Sequence, residues 1–232
     1  MKLSERLQKI ASLVTSNSTI ADIGTDHGYI PIYLLRNNII NFAIAADINK
    51  GPLENAKKEV KANALQDKVD LRLGSGLKVI KKGEVEEVII AGMGGVLISD
   101  IIRDSIEVAK SLNKMILQPM QSSSNLRKYL IDNGFSILDE VLVKEEFRIY
   151  EIIVAKYTGN QEFIEDEIYY EIGKKLIENK DPLLLELIDK RINEYKRVLH
   201  KIEGLSGDEI ENKKVECMNK INKFEEMKKY AS

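Results

Sequence analysis

Short runs of uninterrupted apolar residues alternate along the first two-thirds of the chain with longer stretches whose apolar positions recur every three or four residues. The first kind of run reads as a strand buried on both faces, the second as an amphipathic helix. After an opening helix with Leu3, Leu7, Ile10 and Val14 on one stripe, the turn-rich SNS at 16–18 leads into the apolar stretch TIADIG. A helical stretch through Leu35, the strand FAIAADI (42–48) and the helix GPLENAKKEVKANA follow, the last with Pro52 near its start. VDLRLGSG (69–76) and EEVIIAGMGG (86–95) read as strands three and four, a helix is expected over about 96–109, and KMILQP (114–119) is a fifth strand stopped by proline. SSSNLRKYLIDNG (122–134) has serine and asparagine at its start and Gly134 just past its end, the punctuation of a helix. FSILDEVLVKEEFRIYEIIVAKY then alternates like two antiparallel strands.

Strands separated by helix-length segments predict an α/β fold, a mostly parallel Rossmann-like sheet covered on both faces and closed by an antiparallel pair. From about residue 160 the pattern changes. Leu184, Ile188, Ile192, Tyr195, Leu199 and Ile202 form a helical stripe opened by Pro182, EGLSGD (203–208) is a turn, and Ile210, Cys217, Ile221 and Phe224 repeat the stripe. Heptad-like spacing on both sides of a short glycine-containing turn predicts an antiparallel, coiled-coil-like helical hairpin. Two domains are therefore expected, 1–158 and 159–232.

Composition narrows the class. At 44% hydrophobic and 31% charged residues the chain has the balance of a globular protein rather than a disordered one. No stretch reaches the roughly 18 apolar residues of a membrane span, and the amino terminus lacks a signal-like run, so a cytoplasmic protein without a membrane partner is expected. Cys217 has no second cysteine to pair with, and with two histidines it makes no zinc set; no metal is expected. The net charge of −2 gives no overall nucleic-acid footprint, so any basic surface must arise by local clustering.

Candidate chemistry concentrates in ADIGTDHGYIPIYL (21–34), an acidic residue and glycines at the end of the first strand. A dinucleotide-binding loop has G-x-G-x-x-G there and draws a pyrophosphate onto the next helix. Here the glycines are Gly24 and Gly28, and Asp26 stands where the second glycine would be. A carboxylate repels a pyrophosphate but attracts an ammonium, and Asp22 points the same way, so the spacing favours S-adenosylmethionine (SAM) over NAD. Asp47 ends the second strand 23 residues after Gly24, where a carboxylate accepts both ribose hydroxyls of an adenosine. The glycine loops GSGL (74–77) and AGMGG (91–95) add two further ligand-facing turns at the same edge. Each feature also has a structural reading: an ordinary strand-to-helix turn, or a helix cap for Asp47.

Taken together, DIGTDHGYIP, AADI, GSGL, IIAGMGG, LQPM and the opening LSERL resemble the bacterial tRNA adenine-22 N1-methyltransferase family, TrmK-like, along essentially the whole chain. The resemblance implies a class I SAM-dependent fold, a tRNA substrate and an appended helical domain. It places Asp22, Gly24, Thr25, Asp26, His27 and Gly28 at the methionine end of SAM; Arg6 reaches the SAM carboxylate if helix one folds over the site, with a solvated cation as its alternative. Asp47 and Ile48 fall at the ribose and adenine face, Gly74, Ser75 and Gly76 at the adenine edge, and Gly92, Met93 and Gly94 beneath the methyl. Ser75 departs from the family, which commonly has aspartate there; a hydroxyl still offers the adenine amino group a hydrogen bond.

Asp26 is the candidate to stabilise positive charge developing on the base, with ammonium binding or a structural role as its alternatives; Gln118 and Pro119 are candidates to meet the target base. An amine-directed methyltransferase often carries Asn/Asp-Pro-Pro-aromatic after strand four; AGMGG stands there instead. Ring N1 of adenine has a free lone pair and needs no deprotonation, so positioning and electrostatics are expected to dominate. Competing readings are an NAD-dependent oxidoreductase, opposed by the glycine spacing, and a nonenzymatic RNA-binding module, opposed by the intact acidic and glycine positions. The helical part is expected to help hold tRNA through lysines such as Lys174, Lys175, Lys213 and Lys214, with dimerisation or simple stabilisation as the alternative; a monomer is favoured.

Overall fold

Strands enclosed on both faces must be apolar on both, and the central ones here are. In the computed structural model, which describes residues 2–160 and 162–231, seven strands form one sheet: β1 (Ile20–Ile23), β2 (Ala43–Asp47), β3 (Val69–Leu73), β4 (Glu87–Met93), β5 (Lys114–Pro119), β6 (Phe135–Glu145) and β7 (Arg148–Tyr157). Their order is β3-β2-β1-β4-β5-β7-β6; the first five run parallel and β7 is antiparallel to both its neighbours. On one side lie α1 (Glu5–Ser12), which precedes β1, and the crossover helices α2 (Tyr29–Arg36) and α3 (Lys50–Ala62). On the other lie α4 (Gly95–Arg103), α5 (Ile106–Ser111) and α6 (Ser123–Asp132).

Successive strand side chains point to opposite faces. Ala21 and Ile23 join Ile44, Ala46, Val88, Ile90 and Leu117 in the core beneath α4–α6, while Ile20 joins Ala43, Ala45, Ile89 and Ile116 beneath α1–α3. Asp22 shares the face of Ile20 by the same alternation. It therefore sits at the carboxyl end of β1 on the α1–α2 side, where the apolar layer stops.

The helix expected over 96–109 is two helices. Asp104 caps α4, Ser105 takes a non-helical conformation (φ −140°, ψ 43°), and the Ser105 carbonyl accepts from the amides of Val108 and Ala109 to start α5. An Asp-Ser pair offers the backbone local alternatives to continued helix, which the unbroken apolar periodicity conceals.

The chain divides into two compact units, Met1–Phe163 and Ile164–Ser232. The second is helical: α7 (Ile168–Glu171), α8 (Lys174–Glu178), α9 (Leu184–Lys201) and α10 (Asp208–Ala231). The two long helices pack against each other, with the Tyr195 and Phe224 rings 5.9 Å apart, and Leu187, Ile188, Ile192, Cys217 and Phe224 on them are buried. Lys220 Nζ donates to Glu171 Oε1 (3.0 Å) and Tyr195 Oη (2.9 Å), which ties α7 into the pair. Pro182 precedes α9 rather than opening it, and the short α7 and α8 have too few turns to leave a periodic signal. Among the described residues no helix is long and apolar enough to cross a membrane.

Candidate cofactor pocket

The carboxyl end of β1 turns abruptly. Gly24 adopts φ +78°, a backbone angle that calls for glycine, and a Cβ there would have to displace the Met93 Cε methyl that reaches over it from β4. The Gly24 and Thr25 amides donate to the Ala46 carbonyl (2.8 and 3.1 Å), pinning the loop to β2. Asp26 lies in the left-handed region at φ +42°, one of the few non-glycine types that enters it readily. Gly28, at φ +69°, then starts α2 and donates its amide to the Thr25 carbonyl (2.8 Å).

This loop walls a cavity of about 370 Å³, within the range of small-ligand pockets. Arg6, Asp22, Gly24, Thr25, Asp26, His27 and Gly92 line it. Four further residues, Leu7, Tyr29, Ile30 and Ala91, were not singled out from sequence. Tyr29 immediately follows the glycine motif and its ring stacks on His27 (4.9 Å between centroids, 6° between planes); its adjacency to Gly28 is the signal that could have found it. His27 Nε2 is 3.5 Å from Asp26 Oδ2 at the rim, where the Asp26 side chain is largely exposed.

Asp22 is the unusual group. It is buried, and Thr25 Oγ1 donates to its Oδ2 at 2.7 Å. Burial raises its pKa from 3.8 to about 6, against the Thr25 hydrogen bond and with the charge of Asp47 adding to the rise. Among the described residues no cation pairs with it. A desolvated carboxyl group facing a cavity and lacking a cation suits a positively charged ligand.

The other sequence-predicted residues spread along the same sheet edge. Asp47 Oδ1 accepts from the Asn49 amide (2.7 Å), a cap-like bond that leaves its other oxygen available, and Ile48 beside it is 64% exposed. The Gly74 amide donates to the Asp47 carbonyl (3.0 Å), so the GSG loop is tied to the end of β2; Ser75 is exposed, and Gly76 opens a 3-10 turn (Gly76–Val79). Gly94 caps α4. Leu73, Val96, Leu97 and Met120 also stand exposed at or just beyond the carboxyl ends of β3, β4 and β5. An apolar rim around a cavity marks a surface that something covers.

Gln118 and Pro119, the candidates to meet the target base, are both buried at the end of β5. Gln118 Oε1 accepts from Arg6 Nη1 (2.6 Å) and the Gly92 amide (3.2 Å), while its Nε2 donates to the Pro119 carbonyl (2.9 Å) and approaches Met120 Sδ at 3.7 Å. The amide is spent inside the protein, clamping the Gly92 loop to Arg6. Arg6, in turn, lies over the Tyr150 ring (5.4 Å) and its backbone amide donates to Glu145 Oε2 (3.1 Å), so α1 is held against the β6–β7 pair. Among the described residues no group of three or more His, Cys, Asp or Glu side chains is placed to hold a metal ion.

Comparison with known proteins agrees with this arrangement. A family model described as a methyltransferase domain matches residues 3–153. The tRNA (adenine(22)-N(1))-methyltransferase of Bacillus subtilis is 32% identical over 219 residues, 93% of this chain and 92% of that one. The crystal structure of the B. subtilis m1A22 tRNA methyltransferase TrmK superposes with a TM-score of 0.89 at 30% identity, covering 98% of this chain and 99% of that chain. The M. capricolum TrmK structure in complex with S-adenosylhomocysteine gives 0.85 at 29% identity, covering both chains fully (100% of each).

Proposed function

The chain belongs to the tRNA (adenine(22)-N(1))-methyltransferase family, and from that premise we infer how its own residues carry out SAM-dependent methylation of N1 of adenine 22 in tRNA. The observation that carries this reading is Asp22: a buried carboxyl with no cation beside it among the described residues, in a cavity walled by a glycine turn in the left-handed conformation. Those residues fit SAM. Its ammonium supplies the cation that Asp22 lacks, and Arg6, lining the same cavity, is the partner for its carboxylate. Asp47 is the acceptor for the ribose hydroxyls, Ile48 the apolar surface for adenine, and Ser75 the hydroxyl at the adenine edge.

When bound, SAM supplies an electrophilic sulfonium methyl. Adenine N1 carries its lone pair in the ring plane, so the protein needs no general base and its task is alignment. Gln118 serves that task indirectly: it fixes the Gly92 loop and Arg6 relative to each other and acts as a positioning residue, not a base contact. Methylation at N1 leaves a cationic base, and Asp26 on the pocket rim is the carboxylate available to stabilise that developing charge. An NAD-dependent reading fails on the same residue, since a pyrophosphate would meet it.

In the helical unit, Lys175, Lys213 and Lys214 lie 2.6–2.8 Å from Glu178, Glu216 and Glu211, and Lys174 lies over the Tyr169 ring (5.2 Å). Lys213 is exposed and the other three are half-buried, and ion pairs open to solvent are worth little and give way to phosphates at small cost. We place this unit on the tRNA, and the enzyme in the cytoplasm as a monomer.

The test is methylation of a tRNA transcript with labelled SAM, the product nucleotide mapped by mass spectrometry. Label at N1 of adenine 22, absent when that position is guanosine, is expected. Label at another position, or none from a chain that binds SAM, overturns the reading.

A further inference from the structure

The β6–β7 hairpin carries a feature that neither the cofactor pocket nor the core accounts for. Glu145 pairs with Arg148 at its end, leaving Glu146 and Phe147 as the two turn residues, Glu146 in the left-handed conformation at φ +55°. Tight turns favour small polar residues, yet Phe147 occupies this one with 79% of its surface exposed. The Arg148 guanidinium lies 5.5 Å from the centre of its ring.

Register fixes where this tip stands. β5 pairs with β7 from Met115 to Leu117, opposite Ala155 to Ile153. Continuing that register puts Pro119, the end of β5, opposite Glu151. β7 extends three residues further, to Arg148, so the hairpin projects roughly 10 Å beyond the carboxyl edge of the sheet. That is the edge onto which the cofactor cavity opens. Tyr150 lies two residues along the strand from Arg148, on the same face, and touches Arg6, which itself lines the cavity. The tip and the pocket are thus joined through this cation–aromatic contact and through the Arg6 amide, which donates to Glu145 Oε2 (3.1 Å).

N1 of adenine lies on the Watson–Crick edge, so a paired or fully stacked adenine cannot present it to a methyl donor. The nucleotide must leave its place in the RNA, and the bases beside it lose a stacking partner. We propose that Phe147, backed by Arg148 at the tip of the β6–β7 hairpin, stacks on a nucleobase next to the target adenine and holds the RNA open over the cofactor pocket. The proposal rests on the methyltransferase reading above. Charge at the tip favours a base over the phosphate backbone: Lys144 and Arg148 are offset by Glu145 and Glu146, leaving no net positive field, whereas the face of a base is neutral and suits an aromatic ring with a guanidinium beside it.

Full-length Phe147→Ala and Phe147→Trp variants test this, with SAM affinity by calorimetry, kcat and KM for tRNA, and fluorescence of tRNA carrying 2-aminopurine beside the target. Loss of one base–aromatic stack predicts that Phe147→Ala lowers kcat/KM for tRNA by about tenfold to a hundredfold. SAM affinity should be unchanged and the fluorescence response to binding lost, while Phe147→Trp keeps both activity and response. Wild-type kcat/KM in Phe147→Ala overturns the proposal, as does a loss that tryptophan does not restore. Self-association of the wild type that Phe147→Ala abolishes, with tRNA kinetics unaffected, assigns the tip to a second copy instead and also overturns it. A wild-type chain that binds SAM but methylates no tRNA overturns the enzymatic reading, and the proposal with it. That outcome is distinct from a defect confined to the variant.

Discussion

Arg127 and Asp22 are both buried in the sheet unit, and the protein treats their charges in opposite ways. Arg127, on α6, is 1% exposed; its Nε lies 2.6 Å from Glu140 Oε1 on β6 and its Nη2 2.6 Å from Glu151 Oε2 on β7. Ser123 Oγ donates to the other Glu151 oxygen (2.7 Å). Burial alone would work against the guanidinium's charge, but the two carboxylates outweigh it and hold the proton more tightly than in water. Asp22 has one neutral hydroxyl as its partner and faces a cavity. The first arrangement is complete and binds three elements together. In the second, the fold supplies no counter-charge among the described residues. A buried charge alone says little about function; whether the fold supplies its counter-charge says much.

Breaking the complete site should cost the most. Arg127→Met leaves two carboxylates buried around an apolar chain and is expected to lower stability by about 3–5 kcal/mol in urea unfolding. SAM affinity of the folded fraction should be untouched. A loss under about 1 kcal/mol would mean the triad is not the anchor described.

Asp22→Asn should do the reverse. The folded state holds the Asp22 proton to about pH 6 against 3.8 for an ordinary aspartate. Between those values the native state binds more protons than the unfolded one, so stability falls as pH rises through the window, and the full cost is present above it. Asparagine removes that cost, and a gain of about 1–3 kcal/mol is expected at pH 7.5, vanishing below pH ~4. SAM binding should meanwhile weaken roughly tenfold to a hundredfold. Equal stability at both pH values would deny that Asp22 is strained by burial.

A smaller effect is expected at Gly24→Ala, where the left-handed backbone alone costs about 1–2 kcal/mol. The clash with Met93 adds to this, so Met93→Ala should recover part of the loss in a double-mutant cycle. Additive losses would separate the two residues. The smallest effect belongs to an exposed pair: Lys78 and Asp104 meet at 2.7 Å with both side chains more than half exposed. Lys78→Ala should leave the thermal midpoint unchanged within error, since solvent and salt screen such pairs.

Much of this was legible in the sequence, and what was not has identifiable causes. The parallel strands could be read from short apolar runs and the antiparallel pair from its alternation. The Asp22–Gly28 loop was readable because turn geometry restricts residue types locally. The break at Ser105 was hidden by periodicity that continues across it. The part Gln118 plays in holding the Gly92 loop to Arg6 was hidden because those partners lie 26 and 112 residues away along the chain. The Arg127 triad joins positions far apart in the chain, and no local pattern announces such a match. Phe147 lay inside an alternating run whose turn could be inferred, but its projection past β5 follows only from strand pairing.

The half-protonated condition of Asp22 near pH 6 has a calorimetric consequence. A cationic ligand that settles against this carboxyl must find it ionised, so each capture near that pH expels a fraction of a proton into the buffer. The measured heat then depends on the ionisation enthalpy of the buffer chosen, and the slope of one against the other counts the protons released. That slope should be steepest around and below pH 6 and fall as the pH rises above it, where Asp22 is already ionised before the ligand arrives.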